Sequence, residues 1–194
     1  MVIGLAGKSC SGKNEVGNIL AEKGFRVWDL DNLAHRGLEE NREAVAAVFG
    51  PDTSRAAIGR IVFCDPSMRR RLEDILYPWL EKKITEWKEA NPDSVLVING
   101  ALLYRARFNL MCSAVIYVDA PFDVRLRRAL RRDGVTEEQF RLREESQADV
   151  DFRTVDYGVP VYVIDNENPN LDELRRQVSD ICDKIGMLTV PVQA

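Results

Sequence analysis

Short apolar runs alternate along the chain with longer stretches in which apolar residues recur at helical spacing. The apolar runs predict five buried strands, at residues 2–6, 25–30, 95–98, 114–118 and 159–164. Apolar residues three or four positions apart predict an amphipathic helix over residues 171–185. Short strands separated by helices indicate a parallel sheet that is covered on both faces. The sequence therefore predicts an α/β fold with a doubly wound, five-stranded parallel sheet.

Helical periodicity also fills a long segment after the second predicted strand. Residues 32–49 and 56–63 each predict one helix. Asp65-Pro66 predicts the start of a third helix, because a capping residue is followed by Pro in the first helical position. We expect this helical block, residues 32–90, to be an insertion that is large enough to carry substrate specificity.

A second specificity segment is predicted between the fourth and fifth strands. A helix is expected from Pro121 through Arg131, followed by a turn at residues 132–134 and a capping box at Thr136-x-x-Gln139. We interpret residues 132–158 as this second insertion. The last residues, 187–194, are expected to form a loose tail.

A glycine-rich loop follows the first predicted strand. Residues 7–13 fit the pattern G-x-x-x-x-G-K, which joins a strand to a helix. Glycines allow backbone N–H groups to turn inward around an anion, and the next helix presents its positive N-terminal end. Lys13 would then reach the outer phosphates of a nucleoside triphosphate. A plain glycine-rich turn is the alternative, and the position between a strand and a helix favours the nucleotide loop.

Composition and charge limit the classes of function. With 194 residues and a net charge of −4, the chain can form one domain with a proper core and lacks the basic surface of general nucleic-acid binders. No apolar run approaches the ~20 residues of a membrane span, and no signal peptide is predicted. The scattered cysteines have no metal-ligand spacing, so we expect a reducing cytosol and a cytoplasmic protein. The single histidine, His35, excludes two-histidine zinc sites.

With the loop and these blocks in place, the chain resembles the dephospho-CoA kinase family over residues 1–185. Members of that family are P-loop kinases that phosphorylate the ribose 3′-hydroxyl of dephospho-CoA to complete coenzyme A. The resemblance rests on the loop and on several further blocks. The longer ones are V-W-D-L-D-N-L-A-H (27–35), L-E-D-I-L-Y-P (72–78), R-L-R-R-A-L-R-R-D-G-V-T (125–136) and V-I-D-N-E-N (163–168). The shorter ones are Phe49-Gly50, Arg60-x-Val62-Phe63, Ala101-Leu102-Leu103 and L-D-E-L (171–174). Their shared order and spacing make the match specific.

The resemblance implies one P-loop kinase domain over residues 1–194, with an acceptor-binding insertion at 32–90 and a lid at 132–158. It implies ATP and Mg²⁺ as cofactors and dephospho-CoA as the substrate, in the last step of coenzyme A biosynthesis. No nucleic-acid or membrane partner is expected, and the protein should be a monomer or weak homo-oligomer. Two alternatives stay open. One is a P-loop kinase for another nucleoside or nucleotide acceptor, and the other is a non-catalytic nucleotide-binding protein.

The resemblance also implies the roles of individual residues. Expected at the nucleotide are Lys8, Ser9, Cys10, Ser11, Gly12, Lys13, Asn14, Glu15, Arg128 and Arg132. Expected at the acceptor are Asp31, Arg60 and Leu102. Lys13, Asp31 and Arg132 are the expected catalytic residues. Asp31 would accept or orient the proton of the acceptor hydroxyl. The simpler interpretation of Asp31 is an N-cap for the following helix.

Asn14 is the main departure from the loop pattern. It stands where a Ser or Thr hydroxyl would hold Mg²⁺, and we expect it to hold the metal through a water. Tyr77, Asn99 and Ala101 stand where the family usually has His, Asp and Pro.

The remaining arginines of the 125–136 block are expected to be surface residues. We interpret Arg125, Arg127 and Arg131 as a solvated cationic face. Arg143, in the lid, is a weaker candidate for the nucleotide.

Overall fold

The fold is a five-stranded sheet flanked by helices. The computed structural model describes residues 1–100, 103–147, 150–168 and 170–187. The strands are β1 (Val2–Ala6), β2 (Arg26–Asp29), β3 (Leu96–Asn99), β4 (Ala114–Asp119) and β5 (Val161–Asp165). Their order in the sheet is β2-β3-β1-β4-β5. β1 pairs in parallel with β3 and with β4, and β4 pairs in parallel with β5. The predicted doubly wound parallel sheet is confirmed.

Eight helices and one 3₁₀ turn are seen in the described part of the chain. The helices are α1 (Lys13–Glu22), α2 (Leu30–Glu40), α3 (Arg42–Phe49), α4 (Arg55–Cys64), α5 (Pro66–Ala90), α6 (Phe122–Asp133), α7 (Glu137–Ser146) and α8 (Leu171–Ile185). The 3₁₀ turn, Phe108–Met111, was not predicted. No helix among the described residues is both long and apolar enough to cross a membrane.

The chain forms two compact units, which we call the sheet unit and the helical unit. The sheet unit comprises Met1–Trp28 and the chain from Pro92 onwards, and the helical unit comprises Asp29–Asn91. Each unit has its own buried apolar side chains, which supply most of its folding free energy at roughly 1.5–3 kcal/mol for each large side chain.

β1 is the central strand of the sheet and lies in the core of the sheet unit. All five residues of β1 are buried, as expected for a strand with a neighbour on each side and covered faces. The apolar stripes of α1 and α8 join the strands in one cluster, which includes Ile3, Leu5, Val16, Leu20, Ile116, Ile164, Leu174 and Val178.

The helical unit is organised by its long helix. α5 packs against α2, α3 and α4. Leu80 and Ile84 of α5 are fully buried. Asp65 caps α5 as predicted, since its side chain accepts hydrogen bonds from the N–H groups of Ser67 (2.7 Å) and Met68 (3.3 Å).

The predicted single helix at residues 32–49 is wrong. Two helices meet at Asn41, whose backbone N–H and side-chain Nδ2 both donate to the Gly37 carbonyl, at 2.9 and 2.8 Å. These local hydrogen bonds end α2 at Asn41, and α3 begins at the next residue. The N-terminus of α2 also differs from the prediction. The Asp29 side chain accepts a hydrogen bond of 2.9 Å from the Asn32 N–H. The N-cap is therefore Asp29, and the capping interpretation of Asp31 is wrong.

The boundaries in the second half of the chain are close to those predicted. α6 runs two residues beyond Arg131, through the predicted turn, and ends at Gly134, which has φ 63°. The capping box at Thr136 and Gln139 is confirmed, as are the bounds of α8. The predicted tail, except for Met187, lies outside the described residues.

Candidate active site

The glycine-rich loop connects β1 to α1 with three residues at positive φ. These are Gly7 (145°), Cys10 (62°) and Gly12 (104°). A Cβ on Gly7 would lie 2.4 Å from the Val118 carbonyl oxygen, and one on Gly12 would lie 2.1 Å from Asn166 Nδ2. Both positions therefore require glycine for space as well as for conformation. The result is a tight loop at the N-terminus of α1, the arrangement that binds phosphate groups.

Lys13 lies across this loop. Its ammonium group donates to the carbonyl oxygens of Gly7 at 2.6 Å and Lys8 at 3.3 Å. The positive charge is thus held at the loop backbone, where it can meet an anionic ligand.

Arg128 and Asn166 both donate hydrogen bonds to the backbone of the loop. The Arg128 guanidinium donates to the carbonyls of Cys10 (3.3 Å), Ser11 (3.2 Å) and Asn166 (2.8 Å). Asn166 Nδ2 donates to the Ser11 carbonyl at 2.8 Å. Partial burial lowers the pKa of Arg128, but a guanidinium stays charged at any physiological pH. Arg128 therefore combines loop bracing with positive charge at the candidate site.

A network of ion pairs connects the loop to α7 and the segment after it. Lys8 Nζ lies 2.7 Å from Glu144 Oε1 and 3.1 Å from Asp151 Oδ2. Arg125 donates to both carboxylate oxygens of Glu144, at 2.6 and 3.0 Å. Burial opposes ionisation of Glu144, but the hydrogen bonds from Arg125 and Lys8 outweigh it and lower the pKa of this carboxyl. The Arg125 side chain is only 5% exposed, so its predicted place on a solvated face is wrong.

Gln147 makes a second connection to the loop. Its Oε1 accepts a hydrogen bond of 2.7 Å from the Ser9 N–H. Because this N–H belongs to the loop backbone, α7 and the loop are joined by a neutral contact as well as by ion pairs.

The other arginines of the block behave differently from Arg125. Arg132 is exposed, pairs with Asp133 at 2.6 Å and places Nη2 3.5 Å from Cys10 Sγ, at the rim of the loop. Arg143 also pairs with Asp133, at 3.0 Å. Arg127 and Arg131 are exposed, as predicted.

Asn14 is in contact with Asn99. Asn99 Nδ2 donates to Asn14 Oδ1 at 3.1 Å. Asn99 ends β3 and is 5% exposed, and its own Oδ1 is buried without a hydrogen-bond partner. The Ser11 hydroxyl in the loop is buried without a partner too. Two of the residues that departed from the family pattern therefore form one amide pair.

These residues fit a divalent metal that arrives with a nucleotide. Amide oxygens are hard, neutral donors of the kind that Mg²⁺ and Ca²⁺ accept, and the unpartnered Asn99 oxygen can accept a hydrogen bond from bound water. Within the described part of the chain, no group of three or more His, Cys, Asp or Glu side chains could hold a metal. In kinases, phosphate oxygens of the nucleotide usually supply further ligands of Mg²⁺.

The remaining predicted residues are described within their own elements. Asp31, in the first turn of α2, and Arg60, on α4, are exposed residues of the helical unit. Glu15 is exposed in the first turn of α1. Leu102 lies outside the described residues.

The fold and the loop together define the class of this protein. A parallel sheet whose central strand leads into a G-x-x-x-x-G-K loop and a helix, with arginines from α6 at that loop, is the architecture of a P-loop kinase.

Comparison with known proteins identifies the family. The dephospho-CoA kinase family model matches residues 1–172. A dephospho-CoA kinase of Parasynechococcus marenigrum is 36% identical over 75% of this chain and 78% of the relative, and one of Fusobacterium nucleatum is 30% identical over 95% and 98%. A crystal structure from Thermus thermophilus superposes with a TM-score of 0.80 at 26% identity, covering 95% of this chain and 97% of that one. The chain belongs to the dephospho-CoA kinase family, and it is accordingly a transferase that phosphorylates dephospho-CoA.

The sequence interpretation missed several residues that shape the loop. These are Arg125, Glu144, Gln147, Asp151 and Asn166. The only available signal for Arg125 was its spacing from Phe122 and Ala129, which places it on the buried side of α6. The pairing of Lys8 with Glu144 spans 136 residues and left no sequence pattern.

We expect Gly12→Ala to destabilise the protein and to abolish nucleotide binding. The substitution combines a left-handed backbone with a clash against Asn166, so the loss should exceed about 2 kcal/mol in urea denaturation. Gly24→Ala is the matched control, because Gly24 has φ 91° but no atom within 4 Å of the added Cβ. It should lose only about 1 kcal/mol and keep nucleotide binding. Equal losses in the two variants would show that the contact with Asn166 is unimportant.

We expect Glu144→Gln to lose about 2 kcal/mol at pH 7, because it leaves the buried Arg125 charge without a carboxylate. The lowered pKa of Glu144 means that its contribution is complete above the ordinary carboxyl pKa of 4.5. It is lost as the pH falls through the lower, folded-state pKa. The difference in stability between wild type and variant should therefore shrink in acid, which thermal melts from pH 7 to pH 3 would measure. Glu145→Gln, an exposed neighbour, should change little at any pH, and a pH-independent difference for Glu144→Gln would contradict the ion-pair account.

Proposed function

We propose that this protein transfers the γ-phosphoryl group of ATP to the ribose 3′-hydroxyl of dephospho-CoA, with Mg²⁺ as the metal. The observation that carries the proposal is the loop after β1, with the Lys13 ammonium held at its backbone. Family membership supports the acceptor. A kinase for a different acceptor and a non-catalytic nucleotide-binding protein are not favoured.

The nucleotide is proposed to bind at the loop. Residues 8–15 would surround its phosphates with backbone N–H groups, and Lys13 would contact the outer phosphates. Arg132, exposed at the rim of the loop, would close on the transferring group, since a planar guanidinium can donate two parallel hydrogen bonds to phosphate oxygens. Arg128 would add charge from behind the loop. Because little covalent chemistry falls to the protein in phosphoryl transfer, positioning and electrostatic stabilisation would supply the rate.

The acceptor is proposed to bind through the helical insertion, with residues 132–158 acting as a lid. Asp31 would accept or orient the proton of the 3′-hydroxyl, and its place just after the end of β2 supports this role, because ligands of such folds gather at the carboxyl ends of strands. Arg60 would contact an acceptor phosphate, and Leu102 would line the acceptor site.

The metal is proposed to lie at Asn14, through a water, with Asn99 beside it. When bound, Mg²⁺ neutralises charge on the phosphate oxygens during transfer. A cytoplasmic location is also proposed, supported by four cysteines that are all free thiols. We further propose a monomer or weak homo-oligomer that binds no nucleic acid.

The activity can be tested directly. With Mg-ATP, the purified protein should convert dephospho-CoA to coenzyme A, which mass spectrometry would detect as the addition of one phosphoryl group. A panel of nucleosides and nucleotides serves as the control for acceptor choice. Phosphorylation of another acceptor while dephospho-CoA is left unchanged would overturn the proposed substrate.

The two proposed catalytic roles predict different defects. Asp31→Asn keeps the shape but removes the base, so turnover should fall by about 10²-fold or more while ATP binding persists. Lys13→Ala should weaken nucleotide binding and turnover together. Asp29→Asn is the matched control for Asp31→Asn, because Asn also caps helices well. Steady-state kinetics and calorimetric titration with an ATP analogue would separate these outcomes, and near-normal turnover of Asp31→Asn would refute the proposed base.

A further inference from the structure

One buried tyrosine closes the chain between α7 and β5 into a compact loop. Tyr157 is 2% exposed, and its hydroxyl donates to the Val150 carbonyl at 2.7 Å. Within the same stretch, the Val155 N–H donates to the Asp151 carbonyl at 3.0 Å. These hydrogen bonds hold residues 150–157, which we call the closed loop, in one folded arrangement.

The base of the closed loop is fastened to the connection that precedes β4. Asn109, in the 3₁₀ turn, is 3% exposed, and its Nδ2 donates to the Tyr157 carbonyl at 2.6 Å. The rings of Tyr104 and Tyr157 lie against each other, with 5.3 Å between their centroids and 57° between their planes. Buried polar and aromatic contacts specify one arrangement of the groups that make them. The closed loop therefore cannot shift at its base without losing buried contacts.

The other end of the closed loop presents Asp151 to the glycine-rich loop. The Arg153 N–H donates to Asp151 Oδ1 at 3.0 Å, and Asp151 Oδ2 lies 3.1 Å from Lys8 Nζ. Next to it, the ring of Phe152 packs on that of Tyr117 in β4, with centroids 4.7 Å apart. One oxygen of the carboxylate is thus held within the closed loop, while the other is directed at Lys8.

The charge of Lys8 is taken up by two carboxylates. Its ammonium group lies 2.7 Å from Glu144 Oε1 as well as beside Asp151. Partial burial opposes the charge, but the hydrogen bonds to Glu144 and Asp151 outweigh it and raise the pKa of Lys8. The Lys8 side chain is therefore held by α7 and by the closed loop.

The backbone of Lys8 belongs to the first turn of the glycine-rich loop. Its carbonyl accepts hydrogen bonds from the Ser11 N–H at 3.2 Å and from Lys13 Nζ at 3.3 Å. The Gly7 carbonyl, one residue earlier, also accepts from Lys13 Nζ, at 2.6 Å. A displacement of Lys8 would therefore move both this turn and the carbonyls that hold the Lys13 ammonium group.

We propose that Lys8, Asp151 and Tyr157 are positioning residues that act on the nucleotide through Lys13. Tyr157 fixes the closed loop, and Asp151 on that loop holds the Lys8 side chain. Lys8 in turn holds the turn and the carbonyl that place Lys13. This inference rests on the proposed function, since Lys13 must contact the outer phosphates, and it gives the Lys8 side chain a role in shaping the loop rather than in binding phosphate.

Asp151→Asn separates this role from direct phosphate binding by Lys8, because the two predict changes of opposite sign. The variant keeps the shape of the side chain but removes its charge. If Lys8 is a positioning residue, affinity for a non-hydrolysable ATP analogue should fall by about threefold or more. Affinity for AMP, which lacks the outer phosphates, should stay within about twofold of wild type. If Lys8 were a phosphate ligand, its release from a carboxylate should tighten binding of the analogue. Calorimetric titration measures both affinities without any turnover.

A double variant tests whether Lys8 acts through Asp151. Lys8→Met should weaken binding of the analogue, and addition of Asp151→Asn should weaken it by no more than about a further twofold, because the contact is already lost. Asp183→Asn, exposed on α8, is the control for the loss of a carboxylate and should bind the analogue as wild type does.

Tyr157→Phe tests the far end of the network, because it removes only the hydroxyl that closes the loop. It should weaken binding of the analogue in the same direction as Asp151→Asn. Tyr162→Phe, at a partly buried position of β5, is the matched control and should have no effect. Thermal melts would verify folding, and Asp151→Asn alters a side chain that is 18% exposed, so it should fold even if Tyr157→Phe does not.

Unchanged or tighter binding of the analogue by a folded Asp151→Asn variant would overturn the proposal. Additive losses in the double variant would do the same. A wild-type protein that does not bind the analogue would overturn the proposal together with the proposed nucleotide site. Phosphorylation of another acceptor by a protein with the expected affinities would refute only the proposed acceptor and would leave the positioning roles supported.

Discussion

The shape of the loop depends on one close approach, between the end of β5 and the loop backbone. Asn166 follows β5 and donates to the Ser11 carbonyl, while Gly12 passes so near that a Cβ there would overlap the Asn166 amide. Arg128 donates to the same Ser11 carbonyl and to the Asn166 carbonyl, which ties the three segments together. These hydrogen bonds engage loop carbonyls, while the N–H groups of Ser9 and Ser11 donate to Gln147 and to the Lys8 carbonyl. The shape of the loop therefore depends on contacts with β5 and α6 as much as on its glycines.

Ion pairs neutralise some of the charges around the loop. Lys8 and the buried Arg125 are neutralised by Glu144 and Asp151, so their charges mainly stabilise the fold. Lys13 and Arg128 donate to carbonyl oxygens of the loop backbone, so both cations lie at the loop.

Local signals made much of this structure predictable. β1, the loop and α1 follow from an apolar run, a glycine pattern and helical spacing within 22 residues, and the capping residues marked the start of α5 and α7. The errors arose where nearby side chains competed with the pattern. Asn41 ends one helix by hydrogen bonding to Gly37, and Asp29 takes the capping position that the simpler interpretation gave to Asp31. Arg125 looked solvated because its partner Glu144 lies 19 residues away, and burial of a charge depends on such a partner rather than on residue type.

Two unusual residues of the loop, Lys8 and Asn14, are explained by the side chains that they contact. Lys8 alone would add an uncompensated charge to the loop. It contacts two carboxylates, those of Glu144 and Asp151, which follow α6 in the sequence. Asn14 lies beside a second amide, that of Asn99, whose Nδ2 donates to the Asn14 oxygen. A carboxylate beside Asn14 would accept a hydrogen bond from the Asn14 NH₂ and turn the Asn14 oxygen away. An amide beside it donates to that oxygen and fixes the opposite orientation. The hydrogen bond from Asn99 therefore sets the orientation of the Asn14 amide and links the loop to the end of β3.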